Sequence, residues 1–572
     1  MNKILTGKHV IRYEPAAFTY RQILEALAEN KNQGSFTFIS PEAPDAPDEP
    51  LHPNLPNITS IALVYPVLLS DKRWDSLHLT ASSLFLGSAL TDAGFRVTVK
   101  KQILPVSRID SQLLARDLIG LTLFEDLFPQ TQAFLEQLKN RFQYTGIIAA
   151  GGPLITLNPF QAAYHLPEIN LFVRGEAELV FPGLIQAINA RDIKKLLTFH
   201  GFLFQVPGLI VISGFDEINR PADFNGFHFN LGFLDNPPPD DRGQTSPGNV
   251  LAGGLEINVS RGCKRSCTFC STVQGRHLRQ LPVSRFEELL TQFSAKLERF
   301  AVQSPQARTI NINDDDILQD PEYAEHIFQT IKAKDFRLWG IQTSINSFFT
   351  GGDEIDKKIF GIITDPALFV EDKPLVWAGT DAFLKERGKR LGKHIPPREH
   401  LIRLVDEFEK RRIANYHYWI SSDPLSDWEE FTREFELIHE LLSRFRFFGL
   451  LPHAPFLVPY STTPLYRRML QSPDLKQRIK TKKILAAKQE IFAFPLVEKA
   501  ETAYRHLNRL LNNETLNDRP GFFDDLRGKD YTNAWITLYN FLKQERMEAI
   551  PDSAERLRLL EQSVADGIAK MI

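Results

Sequence analysis

The sequence predicts an α/β protein: a doubly wound, Rossmann-like parallel sheet, then a partial (β/α)6 barrel of TIM type, then a helical C-terminal domain. Three observations carry this. Short apolar runs alternate with helix-length segments over residues 58–195. The alternation restarts at residue 251, after a Pro-rich stretch, and yields six further strand–helix units. Residues 471–572 then show apolar spacing near 3.6. A chain of 572 residues is also too long for one hydrophobic core.

Along the chain, residues 1–58 form an N-terminal segment with one helix near "TYRQILEALAEN", followed by the linker "SPEAPDAPDEPLHPNLPN". In the first domain, 59–195, strands are expected at "SIALVYPV", "RVTVKK", "LIGLTLF", "TGIIAAGGP" and "INLFVRGEAE". "TASSLFLGSALTDAGF" is helical and stops at Gly94, and "LVFPGLIQAINA" is a second helix. Residues 196–250 read as irregular and as a linker. In the second domain, 251–470, strands are expected at "LEINVS", "RTININD", "RLWGIQTS", "PLVWAGT", "NYHYWISS" and "FFGLLPHAPF". Helices such as "SRFEELLTQFSAKLERF" and "PREHLIRLVDEFEKRR" separate most of them. "ETAYRHLNRLLNN" and "AERLRLLEQSVADGIAKMI" carry the helical pattern of 471–572.

Composition narrows the function. The net charge of -3, with 24% charged residues, gives no reason to expect nucleic acid as a partner. No run of about 18 apolar residues is present, so no transmembrane segment is expected. The 43 phenylalanines read as core filling. All 3 cysteines fall in "SRGCKRSCTFCS", residues 260–271, which is no disulfide framework and fits a reducing cytoplasm.

Those cysteines, Cys263, Cys267 and Cys270, have the spacing C-x3-C-x2-C on a loop after a strand. Thiolates select zinc, copper(I) or iron–sulfur clusters. Three on one short loop suit three corners of a four-iron cubane, leaving the fourth iron open to a small molecule. The alternatives are a non-catalytic Cys3His zinc knuckle completed by His277, and three reduced cysteines without a metal.

This motif, with the aromatic Phe269 before the last cysteine, resembles the radical S-adenosylmethionine superfamily. "SRGC" leading into "CTFC" is similar to its cobalamin-binding branch, as are "AAGGPLITLNPF" and "LFVRGEAELVFPGL" upstream. The resemblance covers about residues 59–470 and implies an iron–sulfur (4Fe-4S) enzyme. Cys263, Cys267 and Cys270 would ligate three irons, and S-adenosylmethionine the fourth. Reductive cleavage would give a 5′-deoxyadenosyl radical, with the electron drawn from an external donor of flavodoxin or ferredoxin type. A cobalamin in the first domain would supply a methyl group, making a C-methyltransferase of a small-molecule substrate the expected activity. Radical cyclisation, rearrangement or another carbon–carbon bond formation is the rival within enzymes.

The resemblance also assigns site residues. Near the corrin it places Leu121, Thr122, Gly151, Gly152 and Pro153, with Gly175 and Glu176 on the following loop. No DxHxxG motif occurs in 59–195, so no histidine of that kind replaces the lower cobalt ligand. A sheet that has lost corrinoid binding is the alternative. For S-adenosylmethionine the candidates are Phe269, Asp314 and Asp315 in "NINDDDI", and Thr343 and Ser344 in "QTSINS". Gly379, Asp381 and Lys389 in "WAGTDAFLKERGKRLGK" complete that set. In "HYWISSD", alternation puts His417 and Trp419 on one face, either in the core or on a substrate wall.

Overall fold

The computed structural model describes residues 8–13, 15, 19–28, 37–39, 55–68, 79–104, 109, 111–124, 127–235, 251–272, 274–350, 354–420, 428–450, 463–473, 479–483 and 488–492. The described chain packs as two compact units. One takes Met1–Gly262, Thr272–Asn313 and Lys483–Gln489, and the other Cys263–Ser271, Asp314–Lys482 and Glu490–Ile572.

The first unit begins with β1 (Lys8–Arg12), the helix Tyr20–Ala28 and β2 (Thr37–Ile39). Then come β3 (Ser60–Leu68), β4 (Arg96–Leu104), β5 (Leu118–Thr122), β6 (Ile147–Gly151) and β7 (Leu171–Val173), with helices between most of them. These five strands pair in parallel in the order β4-β3-β5-β6-β7. The chain moves outward from β3 to β4 and then crosses back to β5. That reversal makes a switch point at the carboxyl ends of β3 and β5.

Local signals agree with this sheet. Thr80 caps the helix Ala81–Asp92 by accepting from the Ser83 amide. The helix closes with Phe95 N–H donating to Leu90 O and Gly94 N–H to Thr91 O, a Schellman pairing. β3 runs through Pro66, which lies beyond the Ile61–Val64 stretch paired with β5. There the missing N–H costs no ladder bond on the β5 side.

The reading of 196–250 as a linker is corrected by β8 (Phe202–Val206) and β9 (Leu209–Ser213). They form an antiparallel hairpin about Pro207-Gly208 and extend the sheet from β7, with β1 and β2 beyond them. Every residue of both strands is buried. Their runs, "FLFQV" and "LIVIS", lack alternation because both faces are covered, and a Pro-Gly pair between apolar runs is a hairpin signal. Gln205, the polar exception, donates to Pro167 O and Ile169 O, each at 2.7 Å.

The same unit holds β10 (Leu255–Ile257), β11 (Ser260–Arg261), β12 (Arg279–Gln280) and β13 (Thr309–Ile312). β10 and β13 are parallel, separated by the amphipathic helix Val283–Arg299. β11 and β12 pair antiparallel.

The second unit contains β14 (Arg337–Leu338), β15 (Ile341–Ser344), the hairpin β16 (Phe349–Thr350) and β17 (Glu354–Ile355), then β18 (Leu375–Asp381), β19 (Ala414–Trp419) and β20 (Phe448–Leu450). β15, β18, β19 and β20 form a parallel sheet in chain order, with helices in the crossovers. Each run expected as a strand in 251–470 contains one, while the ends of "NYHYWISS" and "FFGLLPHAPF" lie outside the described residues. The core is rich in phenylalanine: Phe348, Phe360 and Phe408 pack ring on ring. The helical reading of 471–572 falls mostly outside the described residues. Two of its segments, Ile479–Lys483 (β21) and Lys488–Phe492 (β22), are strands. "IKTKK" has one apolar residue in five, too few to fix a helical stripe.

Candidate functional site

The three cysteines lie on the excursion between β11 and β12, all half-buried and none in a disulfide. Cys270 N–H donates to Cys267 O at 3.3 Å, closing a turn between them. Burial pushes the Cys263 thiol up, the Arg265 backbone N–H bonded to it opposes, and Asp316, Asp315 and Cys267 add to the rise. A metal reverses that balance, because ligation deprotonates a thiol outright. Thiolates from one loop, one of them already held by a backbone N–H, fit the corners of a cubane. A zinc knuckle needs four ligands converging on one point. Among the described residues no three His, Cys, Asp or Glu side chains converge on one point, the three cysteines included, so the spacing on one short loop, and not a formed cage, carries the cluster reading.

The segment after β13 divides sharply. Asp314 is buried, Asp315 is exposed, and Asp316 is fully buried. Asp316 was not among the expected residues. It accepts from Thr343 Oγ1 at 2.6 Å, Ser344 N at 3.2 Å and Ser347 Oγ at 3.0 Å. Arg265, between the first two cysteines, donates to Asp316 at 3.3 Å and to Ser347 Oγ at 2.8 Å. Asp316 thereby ties the cysteine loop to the carboxyl end of β15, and it engages Thr343 and Ser344. Phe269 packs against the apolar cluster of Ala382, Leu391, Ile395, Ile420, Leu465 and Met469.

Gly379 pairs with Ser344 across β15 and β18, and β18 bulges between Gly379 and Asp381. Asp381 has φ 63, and its carboxylate binds Lys393. Lys389, the lysine expected here, is exposed at the end of the helix Lys385–Arg390, whereas Lys393 is buried. On β19, His417 and Trp419 face the core. His417 is bonded to Thr380 Oγ1 at 2.6 Å and Asn415 Oδ1 at 3.0 Å, and burial pushes its pKa down to about 3. Trp419 Nε1 donates to the fully buried Glu434 at 2.9 Å. Tyr416 and Tyr418 line the opposite, half-buried face.

In the first unit, Leu121 and Thr122 end β5 beside the switch point, in register with Ala150 and Gly151 of β6. A Cβ on Gly151 would meet only Val173 O, at 3.5 Å, so this backbone edge is open to a large flat group. Gly152, at φ 93, leads into Pro153 at the start of the helix Pro153–Leu157. A Cβ there would lie 2.9 Å from the Leu123 amide nitrogen. Gly175, at φ 80, is pressed against Asn219, whose carbonyl would lie 2.3 Å from a Cβ. The glycines at 152 and 175 are thus fixed by packing as well. These features fit a corrinoid edge without supplying a cobalt ligand.

Glu176 behaves differently. Its side chain is 9% exposed, and both oxygens are bound by arginines: Arg279 Nη2 at 2.6 Å on one, Arg261 Nη1 at 2.7 Å and Arg279 Nη1 at 2.8 Å on the other. Glu178 also binds Arg261, whose guanidinium lies 4.3 Å from the Phe85 ring centroid. Burial opposes the charge on Arg261, and Glu178 and Glu176 more than offset it, raising its pKa. Glu178, Arg261 and Arg279 escaped the sequence reading, although the pair of glutamates in "GEAE" is a visible signal.

No family model matches the chain. Over 164 residues it is 27% identical to a Pyrococcus horikoshii protein named as an uncharacterized methyltransferase, a match of 27% of this chain and 31% of that one. The chain thus spans about a third of that relative. Among solved structures it resembles the cobalamin-dependent S-adenosylmethionine radical enzyme OxsB with aqua-cobalamin bound, at TM-score 0.64, 14% identity, and 90% and 81% coverage of the two chains. It also resembles the radical S-adenosylmethionine methyltransferase TsrM from Kitasatospora setae with cobalamin and [4Fe-4S] cluster bound, at TM-score 0.55, 13% identity, and 90% and 100% coverage. The chain has the fold of the cobalamin-dependent S-adenosylmethionine radical enzymes.

Proposed function

We propose that this chain is a cobalamin-dependent radical S-adenosylmethionine enzyme that methylates an unactivated carbon of a small molecule. The observation that carries the reading is the single loop bearing Cys263, Cys267 and Cys270, in a chain that also presents the Thr122 and Gly151 edge at a parallel-sheet switch point. The names of the similar proteins support the same chemistry. In this reading residues 59–195 hold the corrinoid and 251–470 form the radical barrel. When bound, the cluster and S-adenosylmethionine supply a radical that removes hydrogen from carbon, and the corrinoid supplies the methyl group.

The chain's own residues bind and orient. The three cysteines hold iron, and Asp316 and Arg265 fix the loop that carries them. Ser344 and Gly379, paired at adjacent strand ends, would present backbone to S-adenosylmethionine, with Phe269 on one side. Thr122 and the Gly151-Gly152 backbone, with Leu121 before them on β5, would form the strand-end edge that receives the corrin. An external flavodoxin- or ferredoxin-type donor supplies electrons. No helix among the described residues is long and apolar enough to cross a membrane.

Mass spectrometry with S-adenosylmethionine labelled in its methyl group tests this. Candidate small molecules incubated with the reduced, cofactor-loaded chain should gain the labelled methyl on carbon. A product of unchanged carbon count, rearranged or cyclised, would instead establish the rival radical reaction.

A further inference from the structure

We infer that Glu176 and Glu178 are positioning residues that clamp the base of the cysteine loop, rather than contacts of the corrinoid; this deepens the radical-enzyme reading and rests on it. The cysteine loop leaves β11 and returns at β12, and the ladder between those two strands is its stem. The stem has two pairs, Ser260 with Gln280 and Arg261 with Arg279. Two arginines therefore stand directly opposite each other. Their side chains are only 7% and 3% exposed. Like charges directly opposite on a ladder repel, and burial removes the water that would screen them. Arg220, solvent-exposed but near enough to Glu176 and Arg279 to interact electrostatically with both, adds a third cation.

The glutamates of "GEAE" answer this charge. Glu176 accepts from both arginines at once, and Glu178 from Arg261. Arg279, so oriented, also donates to Gln274 O at 2.8 Å and Pro221 O at 3.1 Å. The Gln274 side chain in turn accepts from Gly262 N–H at 3.3 Å, one residue before Cys263. The rings of Phe85 and Phe224 cover Arg261 at 4.3 and 5.0 Å. A carboxylate shared by two planar guanidiniums fixes direction as well as charge. Removing one partner from such a buried set leaves an uncompensated charge, whereas removing an opposite pair together is far less costly.

The experiment uses the full-length chain in three forms: wild type, Glu176→Gln and Glu176→Gln/Arg279→Gln. Hydrogen exchange is measured across residues 260–280 in the metal-free protein. Iron and corrinoid per chain are measured after anaerobic reconstitution with hydroxocobalamin. Glu176→Gln should raise exchange at the stem and lower retained iron roughly tenfold or more, with corrinoid retention near wild type. The double variant should recover protection and iron. If Glu176→Gln fails to fold, a double variant that folds and loads iron supports the clamp, and one equally damaged overturns it. Loss of corrinoid with intact iron and unchanged stem exchange would overturn it too, making Glu176 a corrin contact. Wild-type protein that takes up no iron would defeat the enzyme reading, while the exchange comparison would still decide whether the glutamates hold the stem.

Discussion

Lys393, not Lys389, holds Asp381. The two ends of the segment from β18 through the helix Lys385–Arg390 are joined by this ion pair, with side-chain exposures of 5% and 15%. Asp381 is held there in the left-handed region, just past the β18 bulge. Lys393→Met would strand a mostly buried carboxylate and should cost about 3–5 kcal/mol. Lys389→Met, on an exposed helix end, should stay within about 0.5 kcal/mol. Urea unfolding of the two variants checks this, and equal shifts would show that the pair contributes nothing.

His417 makes stability depend on pH. It is fully buried, and its folded pKa of about 3 lies below the ordinary 6.5. Between those values the unfolded chain binds a proton that the folded chain excludes, so this contribution is complete above pH 6.5 and is lost as pH falls toward 3. The slope contributed by one such group approaches about 1.4 kcal/mol per pH unit. Comparing unfolding at pH 7.5 and 5.5 for wild type and His417→Gln measures it. The substitution should flatten the dependence, and an unchanged slope would assign it to other groups.

Asp316 should be sensitive to loss of charge. Four residues donate to it, and the amide nitrogen of Asp316→Asn would turn a donor toward some of them. The expected loss is about 1–3 kcal/mol. Thr343→Val removes one donor and should cost about 1 kcal/mol. Thermal unfolding reads both, and a larger loss for Thr343→Val than for Asp316→Asn would place the weight of this network elsewhere.

Much of the fold is legible from periodicity. The strands of the parallel sheet and those of the second alternation stand where apolar runs are bounded by turns, because burial on both faces demands such runs. β8 and β9 are hard to read for the same reason: runs buried on both faces carry no alternation to distinguish them from irregular apolar chain. Metal ligation restricts spacing, so the cysteines stand out from their pattern alone. Asp316 and Lys393 do not, since which acid of "DDD" turns inward, and which of two lysines reaches back, depends on a bulge and a helix end. The stem arginines are hidden because their partners lie 83 to 103 residues away in sequence.

Cys263→Ala, Cys267→Ala and Cys270→Ala should each remove an iron ligand while leaving the first unit's sheet folded. Far-ultraviolet circular dichroism should be nearly unchanged, and the brown absorbance of the reconstituted chain should fall. Unaltered absorbance in any of the three would remove that residue from the ligand set.

The most direct test is the amount of 5′-deoxyadenosine released when the anaerobically reconstituted chain meets S-adenosylmethionine and a strong reductant. The wild-type chain should release it, and each of the three cysteine variants should release none. Iron-loaded wild-type protein that binds S-adenosylmethionine yet forms no 5′-deoxyadenosine, with or without candidate substrates, would contradict the account.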